Sequence, residues 1–327
     1  MKPLVSILTP VYNNAEYLAE CIESVRAQTY GNWEYVIVNN CSTDGTLEIA
    51  RRYAAMDDRI RVHDNDTFLG AEANHNHAMR QISARSTYCK LVFADDWLFP
   101  RCVEDMVAVA EQHPSAAIVG CYGLDGSRIL WDGLPYPATL TSGREACRLF
   151  FQKRIYAFGT GTSLLYRSDI VRARDPFFDE ANTHADTESC IELMHDHDFG
   201  FVHQVLVFSR QQPGSLREAS QRMNTLLAAR LVELARHGPH FLDPAELRRC
   251  IDERLDEYYN FLAVSTIRGN RDPKFWRHHR AALDASGHPL STLRLLRAIG
   301  ARVLRAVLDP LETFQKLGIL GGGTRRW

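Results

Sequence analysis

The sequence predicts an α/β fold with a mostly parallel central sheet, helices on both of its faces, and a helical region towards the C-terminus. Three observations lead to this class. Strand-like and helix-like segments alternate over the first two thirds of the chain, and strands separated by helices of about 10–15 residues are typical of a parallel sheet. The alternation becomes irregular from about residue 124. After Pro213 the pattern is almost wholly helical.

The alternating region contains five predicted strands and four predicted helices. The strands are at residues 4–9, 33–40, 60–65, 89–94 and 116–123. The helices are at residues 15–28, 42–55, 71–83 and 100–112. In the first helix, apolar side chains recur at helical spacing at Leu18, Cys21, Ile22 and Val25. Asn13 or Asn14 can cap this helix, because a short polar side chain accepts from the free N–H groups of a first turn.

The remainder of the chain is predicted to extend this sheet and then to fold as helices. Three strands of an antiparallel extension are predicted at residues 127–133, 162–167 and 199–210. A short helix is predicted between the last two strands, at residues 187–196. Helices follow at residues 216–238, 244–269 and 275–285. We therefore predict an α/β domain at residues 1–213 and a helical extension at residues 214–288. An amphipathic helix with a flexible tail is predicted at residues 289–327.

Composition argues against several classes of protein. The formal net charge of −2 provides no basic surface for general nucleic-acid binding. The eight cysteines are scattered singly without a CxxC pair, which argues against a zinc site of the usual spacing and against a disulfide framework. No apolar run reaches the roughly 18 residues that span a bilayer, and a strand begins close to the N-terminus. We expect a cytoplasmic protein.

Polar residues follow three of the predicted strands, at residues 9–14, 39–46 and 94–97. In open parallel sheets, ligands bind at the carboxyl ends of the strands. Any one of these clusters could equally be an ordinary turn, which needs the same residue types. The adjacent carboxylates of Asp95 and Asp96 need a helix dipole, a basic partner or a cation to neutralise them. Together with the aromatic side chain of Tyr12, the clusters indicate a nucleotide pocket with a metal ion.

The chain resembles the family 2 glycosyltransferases in the segments VSILTPVYNN, VNNCSTDGT and FADDWLFP. Members of that family use nucleotide-sugar donors on a GT-A fold, which is Rossmann-like. The resemblance covers roughly residues 3–212 and includes the later segments THADTESCIEL and SRQQPGSL. The order of the segments makes the resemblance specific, although each segment alone is less so.

The resemblance implies a base pocket formed by Pro10, Tyr12 and Asn39, with the aromatic ring against a pyrimidine. The family usually has Asp where Asn39 stands. An Asn carbonyl can still accept from a pyrimidine N–H, but the charge-assisted bond is lost. Asp44 is expected to cap the following helix, with a direct ligand role as the alternative.

The resemblance also implies a metal site at Asp95 and Asp96. Two carboxylates and a diphosphate in one cleft call for Mg²⁺ or Mn²⁺, which prefer hard oxygen ligands. Asp96 is expected to hold the cation, and Asp95 to contact the ribose or the cation. Many members carry a further Asp where Phe93 stands, so tight metal binding without donor is not expected.

Asp186 matches the catalytic base of the family, because a carboxylate in reach of the acceptor hydroxyl can take its proton. Ala185 stands where the family usually has Glu. Glu188 is the rival base, and a helix-capping role for Asp186 is compatible with catalysis. Arg210 matches a loop that can close over the diphosphate, with Gln211 or Gln212 in place of a frequent His. Asn76 matches an Asn that orients the loop near the donor sugar.

The resemblance implies an inverting glycosyltransferase that moves a sugar from a nucleotide sugar, most simply a UDP-sugar, to a saccharide or lipid-linked acceptor in cell-surface polysaccharide synthesis. A nucleotide-sugar-binding protein without turnover is the alternative. A dinucleotide-dependent oxidoreductase is disfavoured, because residues 10–17 lack the glycine-rich turn. Whether the chain forms a homo-oligomer is left open.

The segment at residues 290–308 is predicted to form a basic amphipathic helix. Arg294, Arg297, Arg302 and Arg305 fall within one arc of about 140°, opposite a face of leucine, isoleucine and valine. Such a helix can lie on an anionic membrane surface, at the inner face of the membrane. Packing of its apolar face against protein is an equal alternative.

Overall fold

A computed structural model describes residues 2–126, 128–130, 133–210 and 216–308. The chain divides into two compact units, Met1–Ser215 and Leu216–Trp327. The predicted flexible tail, and the family positions at Gln211 and Gln212, lie outside the described residues.

The first unit is an α/β fold, as the sequence predicts. Its strands are β1 Val5–Val11, β2 Trp33–Asn39, β3 Ile60–Asp64, β4 Tyr88–Leu91, β5 Trp97–Leu98, β6 Ala116–Asp125, β7 Arg128–Leu130, β8 Leu140–Thr141, β9 Leu164–Arg167 and β10 Asp198–Phe208. Its helices are α1 Leu18–Arg26, α2 Thr46–Ala54, α3 Ala71–Met79, α4 Cys102–Gln112, α5 Gly143–Phe151, α6 Ser168–Arg172 and α7 Ala185–Leu193.

The strands form one mixed sheet with the order β3-β2-β1-β4-β9-β6-β10-β5, while β7 pairs with β6 and β8 with β10. The four strands β1 to β4 are parallel, as expected from the helices that connect them. The antiparallel pairings begin at β9, which separates β4 from β6. Because β1 to β4 run the same way, the loops after these four strands lie at one edge of the sheet.

Apolar side chains from the strands and from the helices form the core of this unit. β1 and β2 are buried over most of their length, and α1 packs on the sheet through the four residues predicted from their spacing. The capping prediction for α1 is wrong, because the N-cap is Tyr17 and it makes no side-chain cap. Asn13 and Asn14 instead bind the loop before α2, as described below.

The second unit is helical. It contains α8 Leu216–Met223, α9 Thr225–Phe241, α10 Pro244–Ile267, α11 Pro273–Ala285 and α12 Thr292–Leu308. The single helix predicted at residues 216–238 is interrupted at Asn224, whose φ of 50° lies in the left-handed region. Asn tolerates this conformation better than most residues, so it separates two helices without a glycine. Within the described residues, every helix is too short or too polar to cross a membrane.

Candidate active site

Asp96 lies at the carboxyl edge of the sheet, five residues beyond the end of β4, and its side chain is buried. Thr162 donates its hydroxyl to Asp96 Oδ2 at 2.6 Å, and the backbone N–H of Arg210 donates to Oδ1 at 3.0 Å. Burial raises the pKa of Asp96 to about 7, and the neighbouring charge of Asp95 adds to this effect. The hydrogen bonds from Thr162, Arg210 and Ser209 oppose the rise without cancelling it.

Asp95 is half-buried, and burial raises its pKa as well, although its own backbone N–H and the charge of Arg210 oppose the shift. Two adjacent carboxyl groups therefore share a site that raises the pKa of both. Hard oxygen donors at this spacing suit Mg²⁺ or Mn²⁺, whose charge would favour ionisation of both groups. The residues present thus fit a divalent cation.

Thr162 is a site residue that the sequence analysis did not identify. It lies in a short 3₁₀ turn, Gly161–Ser163, at a position predicted to begin a strand. Its hydroxyl also accepts from the backbone N–H of Phe93 at 3.1 Å. Lys90 also fixes this turn, because its fully buried ammonium group donates to Thr162 O at 2.5 Å and to Leu164 O at 3.2 Å. The turn that carries the Thr162 hydroxyl is therefore fixed by Lys90 and by the backbone of Phe93.

Arg210 follows β10 and reaches the acidic pair. Its Nε donates to the backbone oxygen of Asp95 at 3.2 Å, and its terminal nitrogen pairs with Glu20 on α1 at 2.5 Å. The guanidinium group lies over the ring of Tyr17, 4.3 Å from its centroid. The structure thus brings together Asp95, Asp96 and Arg210, as the sequence predicts, and adds Glu20 and Tyr17 as residues that hold the arginine.

The predicted base pocket lies at the ends of β1 and β2. These strands are parallel neighbours, and Val11 pairs in register with Asn39. Pro10 is buried in β1, whereas Tyr12 directly after the strand is 47% exposed. Its ring meets that of Phe68 edge-on at a centroid distance of 4.9 Å. Phe68 was not singled out from the sequence, and the two exposed rings provide a surface on which a base can stack.

Asn39 is almost fully buried, and its Nδ2 donates to Asp64 at 2.7 Å. Its Oδ1 is buried and has no hydrogen-bond partner among the described residues. A buried acceptor left without a donor is costly, which makes this atom a candidate acceptor for a hydrogen bond from a ligand.

Hydrogen bonds join the loops after β1 and β2. Asn13 Oδ1 accepts from the backbone N–H of Thr43 at 2.8 Å, and Thr46 Oγ1 accepts from the backbone N–H of Asn14 at 2.8 Å. Asp44 accepts from the backbone N–H groups of Ala15 and Thr46. Burial alone would raise the pKa of Asp44, but these bonds outweigh it and the pKa is lowered. The N-cap of α2 is Gly45, and Asp44 lies one residue before it. The carboxylate of Asp44 binds both the loop after β1, through Ala15, and the start of α2, through Thr46.

Asn76 and Asp186 lie on α3 and α7. The amide of Asn76 donates to Phe178 O at 2.9 Å and to Glu180 at 3.0 Å, and accepts from the Phe178 N–H at 2.8 Å. It therefore positions the segment that leads into α7. Asp186 is the second residue of α7, whose N-cap is His184, so the helix-capping alternative for Asp186 is wrong.

The rival base, Glu188, is buried, and one of its carboxylate oxygens accepts from Asn182 Nδ2 at 2.6 Å. Asp186 is half-buried, and its Oδ1 accepts from the N–H of Thr187 at 2.8 Å. Asp186 is thus the more accessible of the two carboxylates.

The order of the parallel strands, the acidic pair and the exposed aromatic rings agree with a match to a known family. The model of Glycosyl transferase family 2 matches residues 6–174, which is more than half of the chain. This chain belongs to glycosyl transferase family 2. The matched residues of family 2 run from β1 to the segment after α6 and so include Asp95, Asp96 and Asn39.

Curated relatives support the family assignment. The Bacillus subtilis protein named glycosyltransferase EpsE is 37% identical over 166 residues, which are 48% of this chain and 59% of EpsE. TuaG of the same organism, named for teichuronic acid biosynthesis, is 39% identical over 95 residues, 29% of this chain and 37% of TuaG. The chain thus spans less than two thirds of the length of the first curated relatives that it matches.

Solved structures show the same fold. S. aureus TarS in complex with UDP-GlcNAc aligns with a TM-score of 0.64 at 18% identity, covering 95% of this chain and 91% of that chain. The mannosyltransferase PcManGT from Pyrobaculum calidifontis, in complex with GDP-Man and Mn²⁺, aligns with a TM-score of 0.56 at 16% identity, covering 98% and 84%. At these identities the likeness establishes the GT-A fold.

The raised pKa of Asp96 predicts a pH dependence of stability. The pKa is about 7 in the folded protein, against 3.8 for an ordinary aspartate, so the folded state binds more protons than the unfolded state between these values. The free energy of unfolding should therefore fall as the pH rises from about 4 to about 7. Asp96→Asn cannot ionise, so its stability advantage over the wild type should appear over this window and reach a few kcal/mol.

Chemical denaturation in EDTA at pH 4.5, 6 and 8 measures this difference. Asp66→Asn, at an exposed aspartate, is the control and should follow the wild type. A constant difference between Asp96→Asn and the wild type at all three pH values would contradict the prediction.

Proposed function

We propose that this protein is a metal-dependent inverting glycosyltransferase that transfers a sugar from a UDP-sugar to a hydroxyl group of a saccharide or lipid-linked glycan. The observation that carries the proposal is the buried Asp96 carboxyl group, with its raised pKa, beside Asp95 and Arg210. The name of TuaG, which specifies teichuronic acid biosynthesis, supports a role in cell-surface polysaccharide synthesis. The UDP-GlcNAc complex of TarS supports a UDP-sugar donor.

Asp96 and Asp95 would hold Mn²⁺ or Mg²⁺, which when bound neutralises charge on the diphosphate that leaves the sugar. The chain prepares this site in advance. Thr162 and the backbone N–H of Arg210 fix the Asp96 carboxylate in one orientation, so no side chain must be ordered on binding. The guanidinium of Arg210 carries a positive charge beside the same carboxylates and can contact the diphosphate.

Tyr12 and Phe68 would stack against the base, and the free Oδ1 of Asn39 would accept from its ring N–H. The base is then held at the end of β1 and β2, and the diphosphate at the end of β4. Because β4 is the neighbour of β1, one extended nucleotide can reach both places along the same edge of the sheet.

Asp186 would act as the general base. Direct inversion has no covalent sugar–enzyme intermediate, so the protein must place the acceptor hydroxyl in line with the leaving diphosphate and take its proton. The carboxylate of Asp186 is half-buried at the start of α7, and Asn76 fixes the segment before this helix. Glu188 is bound by Asn182 and is less accessible to a substrate.

Nucleotide binding tests the donor and the metal. UDP should raise the melting temperature in the presence of Mn²⁺ and much less without it, because the diphosphate and the carboxylates repel each other. At about 100 times its dissociation constant, a ligand stabilises by about 2.7 kcal/mol. Asp96→Ala should remove the effect of Mn²⁺ on UDP binding. A larger shift with GDP than with UDP, TDP or CDP would contradict the donor assignment.

Substitution of the two carboxylates on α7 tests the base. Asp186→Asn is nearly isosteric but cannot accept the proton, so kcat should fall by roughly 10²–10⁴ while donor affinity is retained. Glu188→Gln is the matched variant and should keep most of the activity. Release of UDP from UDP-sugars measures turnover, and it also separates an enzyme from a binding protein without turnover. An active Asp186→Asn with an inactive Glu188→Gln would assign the base to Glu188.

We also propose that α12 contacts the inner face of the membrane, where a lipid-linked acceptor would be found. One stripe of this helix, which includes Leu295 and Ala298, packs against the core of the second unit. A second apolar stripe stays exposed, with side chains 51–60% accessible at Leu293, Leu296, Val303 and Leu304. Arg294 and Arg297 are exposed on the same helix, so apolar contact and attraction to anionic headgroups can act together.

Co-sedimentation with vesicles of phosphatidylcholine and phosphatidylglycerol tests this contact. Leu296→Glu combined with Leu304→Glu should lower the bound fraction several-fold, because both charges would enter the apolar stripe. Ile267→Glu is the control, since this side chain is 53% exposed at the end of α10 and lies outside the stripe. Equal binding by the wild type and the α12 variant would contradict the proposal.

A further inference from the structure

Asn39 and Asp64 form a cross-strand pair at the carboxyl ends of β2 and β3. The two residues are direct partners in the parallel register, and Asn39 Nδ2 donates to Asp64 Oδ1 at 2.7 Å. An ionised carboxylate only accepts hydrogen bonds, so the NH₂ group of the amide must be the part that faces Asp64. The carbonyl Oδ1 must then face the other way, and it has no partner among the described residues.

Asp64 is itself held in place. Its other carboxylate oxygen pairs with Arg51 on α2 at 3.2 Å, and both of these side chains are substantially exposed. Asn39, by contrast, is 1% exposed. The pair therefore consists of an outer carboxylate and an inner amide, and the orientation of the inner group depends on the chemistry of the outer one.

Asn39 lies next to the exposed aromatic surface in the sheet. Asn39 pairs in register with Val11, the residue directly before Tyr12. A fixed acceptor here can distinguish bases that have the same shape. Uracil carries a ring N–H at the position where cytosine carries an unprotonated ring nitrogen. The carbonyl of Asn39 can accept from the first and repels the second.

We propose that Asp64 is a positioning residue that sets base selectivity: by fixing the amide of Asn39, it makes the site select uracil over cytosine. This inference rests on the proposed function, because it concerns the nucleotide of the donor. A single buried carboxylate would provide an acceptor by itself. Here the acceptor is the carbonyl of an amide. Asp64 binds the NH₂ group of this amide and so leaves the carbonyl for the ligand.

Asp64→Asn tests the inference. The amide introduced at position 64 can donate to Asn39 Oδ1, which allows the Asn39 side chain to turn over and present its NH₂ group to the base. The preference for UDP over CDP should fall at least tenfold, through weaker binding of UDP and equal or tighter binding of CDP. Calorimetric titration of both nucleotides in saturating Mn²⁺ measures the ratio.

Two further variants test whether Asp64 acts by orienting the Asn39 amide or by supporting the loop. Arg51→Met removes the other partner of Asp64 but leaves the bond to Asn39, so the preference for UDP should persist. In the double variant Asn39→Asp with Asp64→Asn, position 39 carries a carboxylate that can only accept, and the preference should return.

The outcomes distinguish this inference from the function on which it rests. If Asp64→Asn weakens UDP and CDP by the same factor, Asp64 merely supports the loop and the inference is wrong. Unchanged selectivity in Asp64→Asn would overturn it equally. A wild-type protein that binds neither UDP nor CDP in Mn²⁺ would contradict the proposed function and this inference together.

Discussion

The carboxyl group of Asp96 lies almost out of reach of water, next in the chain to a second carboxyl group. Three donors contact it, and they come from distant parts of the sequence: the turn before β9, Ser209, and the backbone after β10. Because β9 lies beside β4, and β10 pairs with the short β5 just beyond Asp96, these two strands deliver the donors. The predicted antiparallel extension is wrong for β10, which runs parallel to β6. The mixed sheet is thus a requirement of the site as well as a feature of the fold.

The buried ammonium group of Lys90 belongs to the same arrangement. It binds two backbone oxygens, those of Thr162 and Leu164, and no salt bridge of Lys90 with a carboxylate is found in the described part of the chain. Lys90 therefore acts on the acidic pair indirectly, by fixing the turn that carries Thr162. The proposed base end of the site is stabilised differently, through hydrogen bonds between the loops after β1 and β2.

The parallel half of the fold could be predicted from sequence, because local alternation of strands and helices determines it and strand ends then coincide. The acidic pair was predicted in this way, and Arg210 was predicted from the family resemblance. Thr162, Phe68 and Glu20 were not, since their roles depend on pairings between residues far apart in the chain, for which no local pattern exists. Asn13 and Asn14 were misassigned for a related reason. The side chain of Asn13 and the backbone N–H of Asn14 bind Thr43 and Thr46, which lie about 30 residues further along the chain.

The pairing of Asn39 with Asp64 also restricts how this site can change in evolution. An aspartate at position 39 would place two carboxylates opposite each other on neighbouring strands, and like charges in that arrangement destabilise a sheet. The negative charge can therefore occupy β2 or β3, but not both. A lineage that moves it from one strand to the other must pass through an intermediate that has either two charges or none. Positions 39 and 64, which are 25 residues apart, are thus expected to change together.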